Sequence, residues 1–258
     1  MASVSRAFDG RAAIAAAFVA ASLCGLGQSA LASPEWLRKA WGAAHGEDGR
    51  QRLAPPVAKY EIDEGGAFIL DRSGRRPLLK FEESPEVWVL AVSRGPRGDT
   101  IYRDDTGDMM LRATELGGMT VFTPRRPEGS AAAMAGASLP LRLASVGPLA
   151  LYQRILQASV RSSRAAQHLV GFDAPEADAG SDGLIADAAA VAAEALVSLA
   201  TRQGGKAALA RVQKVDLVKG GRPQVMSRGG MIIITIVPAL GVAGRPSSER
   251  ILRAVGAR

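Results

Sequence analysis

The sequence predicts an α+β protein: an antiparallel β-meander with two covering helices, a C-terminal β-hairpin and a short terminal helix. Three observations carry this. Between Lys59 and Thr123, short apolar runs with a period near two alternate with turns rich in Gly, Asp and Ser. From Pro148 to Gln203 the apolar period lengthens to that of a helix. Beyond Val215, the glycine pairs Gly220-Gly221 and Gly229-Gly230 mark two more turns, and a strongly apolar run, Met231 to Val237, lies between the second and Pro238.

The elements follow in chain order. Arg6 and Arg11 precede an apolar run from Ala12 to about Gly27, followed by Ala30-Leu31-Ala32. This is the pattern of a secretory signal peptide, with cleavage expected after Ala32. Leu23 is bulky for a lipidation signal at Cys24, and no later segment reaches the roughly 18 to 20 uninterrupted apolar residues of a spanning helix. Residues 33–56 read as a short helix and a linker. Ser33 caps it, Pro34 takes the first helical position, Trp36, Leu37, Ala40 and Trp41 share a face, and Pro55-Pro56 closes the linker.

Residues 57–258 read as a single α+β domain, β-rich over 57–124. Hairpins are expected around Ser73-Gly74, Gly95 to Gly98, Thr106-Gly107 and Gly117-Gly118. Ile101, Met109, Leu111, Met119 and Val121 are spaced to share one face of the meander. Residues 125–147, including RRPEGSAAAMAGASLP, read as a low-complexity, mobile connector. Helices are expected within 148–212. In the first, Leu149, Tyr152, Leu156 and Val160 track one face, and Gln157, Arg161, Arg164 and a solvent-facing His168 track another. In the second, Leu184, Ala188, Val191, Ala195 and Leu199 form an apolar stripe opposite Asp187, Glu194 and Thr201, and Gly204-Gly205 ends it. Over 213–258 a hairpin with a central strand, Met231 to Val237, precedes a short helix capped by Ser247 or Ser248.

Composition narrows the function. Cleavage after Ala32 removes Cys24, the only cysteine, so the exported chain has no disulfide, thiol nucleophile or thiolate metal site. Removing Arg6, Arg11 and Asp9 as well leaves 30 basic against 24 acidic residues, a mature charge of +6 carried mostly by arginine. Planar guanidinium forks suit carboxylates and phosphates. An exported chain meets anionic envelope components first, either glycan or lipid headgroups, and no nucleic-acid partner is expected. The place implied is the periplasm or the exterior.

The stretches FILDRSGRRPLLKFEESPEVWVL, PRGDTIYRDDTGDMMLRATELGGMTVFTP and AGRPSSERI resemble an uncharacterised family of exported alphaproteobacterial proteins, domain of unknown function 4908. The similarity covers most of the mature chain. It implies export and a bacterial envelope setting, and it brings no reaction, cofactor or catalytic residue.

Common catalytic motifs are absent: there is no G-x-S-x-G, S-x-x-K, H-E-x-x-H or Walker loop. With only His45 and His168, no histidine metal site or triad is expected, and neither metal nor cofactor. Asp104, Asp105 and Asp108 flank Thr106-Gly107 as turn chemistry, without the spacing of a calcium loop. The candidate binding site is Arg245 with Ser247 and Ser248, where a helix start offers free N–H groups and a positive dipole to an anion. The expected function is a non-enzymatic envelope binding or structural module. The alternative is a carboxylate-dependent hydrolase of envelope glycan, using acids among Glu82, Glu86, Asp104 and Asp108 near Trp88.

Overall fold

Turn chemistry lays out the first half of the molecule. The computed structural model describes residues 54–256. The expected signal peptide with Cys24, the helix bearing Trp36 and Trp41, and His45 lie outside the described residues. Nine strands form one antiparallel sheet: β1 (Val57–Ile62), β2 (Ala67–Asp71), β3 (Leu78–Phe81), β4 (Val87–Val89), β5 (Ala91–Arg94), β6 (Thr100–Arg103), β7 (Met109–Ala113), β8 (Met119–Thr123) and β9 (Arg126–Ala137). All four expected hairpins form, joining β2 to β3, β5 to β6, β6 to β7 and β7 to β8.

The spatial order is β4-β3-β2-β1-β9-β8-β7-β6-β5. The two edge strands, β4 and β5, are joined through the single residue Leu90. Consecutive Cα atoms lie about 3.8 Å apart, so the two edges approach within roughly 8 Å at this corner. The sheet therefore curls round on itself into a nearly closed barrel. Its interior is filled. Phe68, Leu70, Leu79, Leu90 and Leu111 are buried within it, Tyr60 stacks on Phe68 at 5.1 Å, and Phe81 meets Phe68 edge-on at 6.0 Å.

Two expectations about this sheet are corrected. Ile101 does not share the face of Leu111: Tyr102 pairs with Leu111 and takes the core position, so Ile101, one residue earlier, points to the other side. There it covers Gly95, where an added Cβ would lie 2.8 Å from the Ile101 side chain. The second correction concerns the supposed connector. Arg126–Ala137 is β9, the middle strand of the sheet, paired with β1 on one side and β8 on the other. Its small residues contribute ladder hydrogen bonds more than core. Gly129 shows why size is restricted: it sits at φ +89°, and an added Cβ would lie 2.6 Å from Thr120 Cγ2 and 2.8 Å from the Phe122 ring. Gly129→Ala is expected to cost about 1 to 2 kcal/mol, read as a lower urea midpoint at unchanged m-value.

The second half is a mixed α/β layer. Strands β10 (Gly171–Asp173), β11 (Lys214–Lys219), β12 (Gln224–Arg228) and β13 (Met231–Ile236) are ordered β10-β11-β13-β12, with the first three parallel and β12 antiparallel. The expected hairpin is β12–β13, and β13 is internal, with Ile232, Ile234 and Ile236 buried. Four α-helices accompany this sheet: α1 (Pro148–Ala166), α2 (Asp182–Thr201), the short α3 (Gly205–Leu209) and α4 (Ser248–Gly256). They pack on this second sheet and build a separate core, so the meander is not the sheet they cover. α2 is the hub, packed by α1, α3, α4, β11 and β13, and its predicted stripe of Leu184, Ala188, Val191, Ala195 and Leu199 is buried. Its length and mean hydropathy would suit a membrane-spanning helix, but here it is the core of the layer.

The buried face of α1 is not the expected apolar stripe. Leu149 and Tyr152 are 71% and 65% exposed, with Leu156 and Val160 also outward, while Leu151, Ala158 and Ser162 face the core. Alanines line the adjoining surface of α2, and only small residues at the contact let two helix backbones approach closely. His168 is likewise not a solvent-facing helix residue. It lies beyond the end of α1, where its ring nitrogens reach the carbonyls of Ala166 and Val212 at 2.9 and 2.7 Å.

Candidate functional site at the sheet and helix junction

The start of α4 gathers the acids of three other elements. Ser247 acts as its cap: its Oγ accepts from the Arg250 N–H at 3.1 Å. Two N–H groups of the opening turn point outward, as in any helix start. Each is met by a carboxylate of the same chain. Ser248 donates from N and Oγ to the two oxygens of Glu86, at 3.0 and 2.5 Å. Ser247 donates from N and Oγ to Asp105, at 3.1 and 2.5 Å. The anion at this helix start is therefore intramolecular.

Arg245 completes the junction. Its side chain is 2% exposed, and it donates through Nε to Asp187 of α2 and through Nη2 to the Val87 carbonyl of β4 at 3.0 Å. Its Nη1 lies 3.5 Å from Glu86. One guanidinium thus links the barrel, the central helix of the α/β layer and the approach to α4. Such a site suits the fork of arginine, which saturates several acceptors in fixed directions. Glu86 is 2% exposed. Burial pushes its carboxyl up to about 7, against the pull of Arg245 and the two Ser248 donors, with Asp187 adding to the rise.

Backbone geometry tightens the approach to Arg245. Gly244 accepts from the Val237 N–H at 2.7 Å, and a Cβ there would fall 2.1 Å from the Val237 carbonyl oxygen. Only glycine permits this crossing.

The remaining acid candidates are dispersed around the junction. Glu82 is on the outside of the barrel, paired with Lys59 at 2.6 Å. Asp104 is buried in the β6–β7 turn, where it accepts from the N–H and hydroxyl of Thr106 and from the N–H of Asp108, at 2.8 to 2.9 Å. Asp108 pairs with Arg253 of α4. Among the described residues, no group of three or more acids or histidines is arranged to hold a metal ion.

Two grooves flank the junction. One, of about 510 Å³, is bordered by Asp104, Asp105, Arg245, Ser247, Arg250 and Arg76. The other, of about 800 Å³, combines Trp88, Met109, Met110, Phe122 and Leu252 with Asp104, Asp108, Glu249 and Arg202. Glu249 pairs with Arg202 at 2.8 Å, and Arg253 lies 3.6 Å from it. Ser247 and Ser248 thus serve the junction, Asp104 and Asp108 share the larger groove, and Glu82 is distant in role from all of them. Sequence reasoning missed Asp187 as a site residue. Its signal was a carboxylate in the polar stripe with Glu194 and Thr201 on an alanine-rich helix, which reads equally well as a solvated face.

Fold and site define a class: an α+β protein whose nearly closed antiparallel sheet is fastened to a mixed α/β layer by a buried ionic network. The chain belongs to the family described as domain of unknown function (DUF4908), whose model matches residues 37–255. Neither a curated protein nor a solved structure matches it significantly.

Proposed function

We propose that this chain is an exported envelope protein, periplasmic or secreted, that works as a non-enzymatic module binding anionic envelope components. One observation carries the non-enzymatic part. The carboxyl held near neutrality, Glu86, is enclosed by Ser248 and Arg245 and borders neither groove. A general acid in glycan cleavage must reach the leaving oxygen. The carboxyls that do border the larger groove are engaged, Asp104 by its own turn, Asp108 by Arg253 and Glu249 by Arg202. The signal-peptide pattern of residues 1–32 and the arginine-borne positive charge support export and an anionic partner.

The hydrolase reading has one observation in its favour: Trp88 lies in the same groove as Asp108 and Glu249, a stacking ring beside two acids. The two readings separate in one assay. Isolated envelope glycans are incubated with the wild type, Asp108→Asn and Glu249→Gln, and products are followed by mass. No product above the no-protein control is expected from any of them. Turnover by the wild type that falls at least a hundredfold in either variant would establish the hydrolase instead.

A further inference from the structure

Three arginines of the described residues border one concavity. Arg75 and Arg76 come from the β2–β3 turn and Arg142 from the segment entering α1, and all three border a groove of about 550 Å³. Among the described residues, no hydrogen bond or ion pair engages the side chain of Arg75 or Arg76. Arg142 has one acidic neighbour, Asp71, whose oxygens already accept from Ser73 and from the Leu141 N–H at 2.8 Å. No carboxylate of the described residues borders the groove. Three guanidinium groups held around one concavity repel one another, and the repulsion is relieved by an anion placed between them.

The floor of the groove narrows the kind of anion. Leu141, Leu143 and Leu240 line it together with Leu78, and Leu240 is 52% exposed. A bare phosphate would satisfy the arginines and leave these side chains wet. A sugar would find neither an aromatic platform nor an acidic acceptor among the described residues, none of which is aromatic or acidic at this groove. An anion that carries an aliphatic chain satisfies both parts, its phosphate bonded by the forks and its chain covering the leucines.

We infer that the groove bordered by Arg75, Arg76 and Arg142 binds the phosphate of a lipid phosphate ester, with the first part of its aliphatic chain on Leu141, Leu143 and Leu240. The inference rests on the envelope-binding reading and selects lipid over glycan within it. It also assigns the external anion to a site apart from Arg245, whose guanidinium is enclosed. Arg76 borders the smaller junction groove as well, beside Asp105, but that acid is already taken by Ser247.

The test uses the mature full-length chain and three probes: inorganic phosphate, monodecyl phosphate below its micelle concentration, and phosphatidylcholine vesicles with and without phosphatidylglycerol. Monodecyl phosphate is expected to bind at least tenfold more tightly than inorganic phosphate. Arg76→Ala with Arg142→Ala should weaken its binding roughly 30-fold or more, and raised salt should weaken what remains. The control, Arg154→Ala with Arg228→Ala, removes the same charge from α1 and β12 and should stay within a factor of three. Leu240→Asp should lower affinity for monodecyl phosphate about tenfold and leave inorganic phosphate unchanged. Retained thermal melting of each variant shows that it is folded.

Vesicle binding that requires phosphatidylglycerol makes the source a membrane-resident lipid, and binding of the monomer alone makes it a free amphiphile; both support the site. Equal affinity for inorganic and monodecyl phosphate overturns the lipid assignment. Wild-type binding that the groove variants leave unchanged, or that the control loses equally, overturns the site while the envelope-binding reading stands. Failure of the wild type to bind any anionic probe, envelope glycans included, overturns both.

Discussion

Replacing Arg245 with alanine will destabilise the protein by roughly 3 to 5 kcal/mol, the cost of removing one partner from a buried ionic network. The size follows from what is left behind. Glu86 is 2% exposed and loses the guanidinium 3.5 Å away, Asp187 loses its donor, and the Val87 carbonyl loses a hydrogen bond. No water easily replaces these contacts in a site closed by Ser247, Ser248 and α2. For a domain of this size the loss corresponds to a fall in melting temperature of about 10 °C or more. Calorimetry and urea titration of the variant are the measurements. A double-mutant cycle with Glu86→Gln should show a coupling energy of at least 1 kcal/mol, because the two groups belong to one network. A loss below about 1 kcal/mol for Arg245→Ala would show that the junction is not a structural fastening. Envelope binding should survive the substitution in whatever fraction remains folded, since Arg245 has almost no exposed surface to offer a ligand.

Glu86 gives the second large effect, and its sign is set by burial. Its carboxyl titrates near 4.5 in the unfolded chain and near 7 in the folded one. Between those values the native state holds a proton that the unfolded state has released, so stability falls as pH rises through the window. Below pH 4.5 the penalty is absent, and above about 7 it is complete. Glu86→Gln cannot titrate and keeps acceptor and donor groups at the same place. The stability difference between variant and wild type should therefore shift in favour of the variant by roughly 2 to 3 kcal/mol between pH 4.5 and 7.5. Urea titrations of both proteins across that range measure it directly. A difference that stays flat with pH, or shifts in favour of the wild type, would mean that Arg245 and the Ser248 donors outweigh desolvation and that Glu86 is ionised throughout.

The sheet and the junction differ in how far local chemistry reveals them. The hairpins at Ser73-Gly74, Thr106-Gly107 and Gly117-Gly118 were legible because their turns need residues that bond locally or accept positive φ, and those requirements act over four residues. The buried stripe of α2 and the central position of β13 were legible for a related reason: strong periodicity and continuous apolar character persist whatever the neighbours are. β9 was hidden because its alanines, glycines and serine carry almost no strand propensity of their own. It is a strand because β1 and β8 both offer it a ladder. The outward stripe of α1 misled for the complementary reason: the most apolar stripe of a helix need not be the buried one, and the small-residue neighbour accepts the stripe of Leu151, Ala158 and Ser162.

Acting alone, the sequence determined the α+β class, the positions of the turns, the identity of the central apolar elements and a serine cap at Ser247 or Ser248, because each depends on a residue and its near neighbours. Tertiary structure decided what those residues are for. The closure of the sheet at Leu90 brings Glu86 and Val87 beside Asp105 and the start of α4, across separations of up to 162 residues. Whether an arginine and two serines meet an external anion or an internal carboxylate depends on which acids the rest of the chain delivers to them. Charge and hydrogen-bonding capacity are local properties, whereas desolvation and partnership are not, and here burial turned a predicted anion site into the fastening between the barrel and the α/β layer.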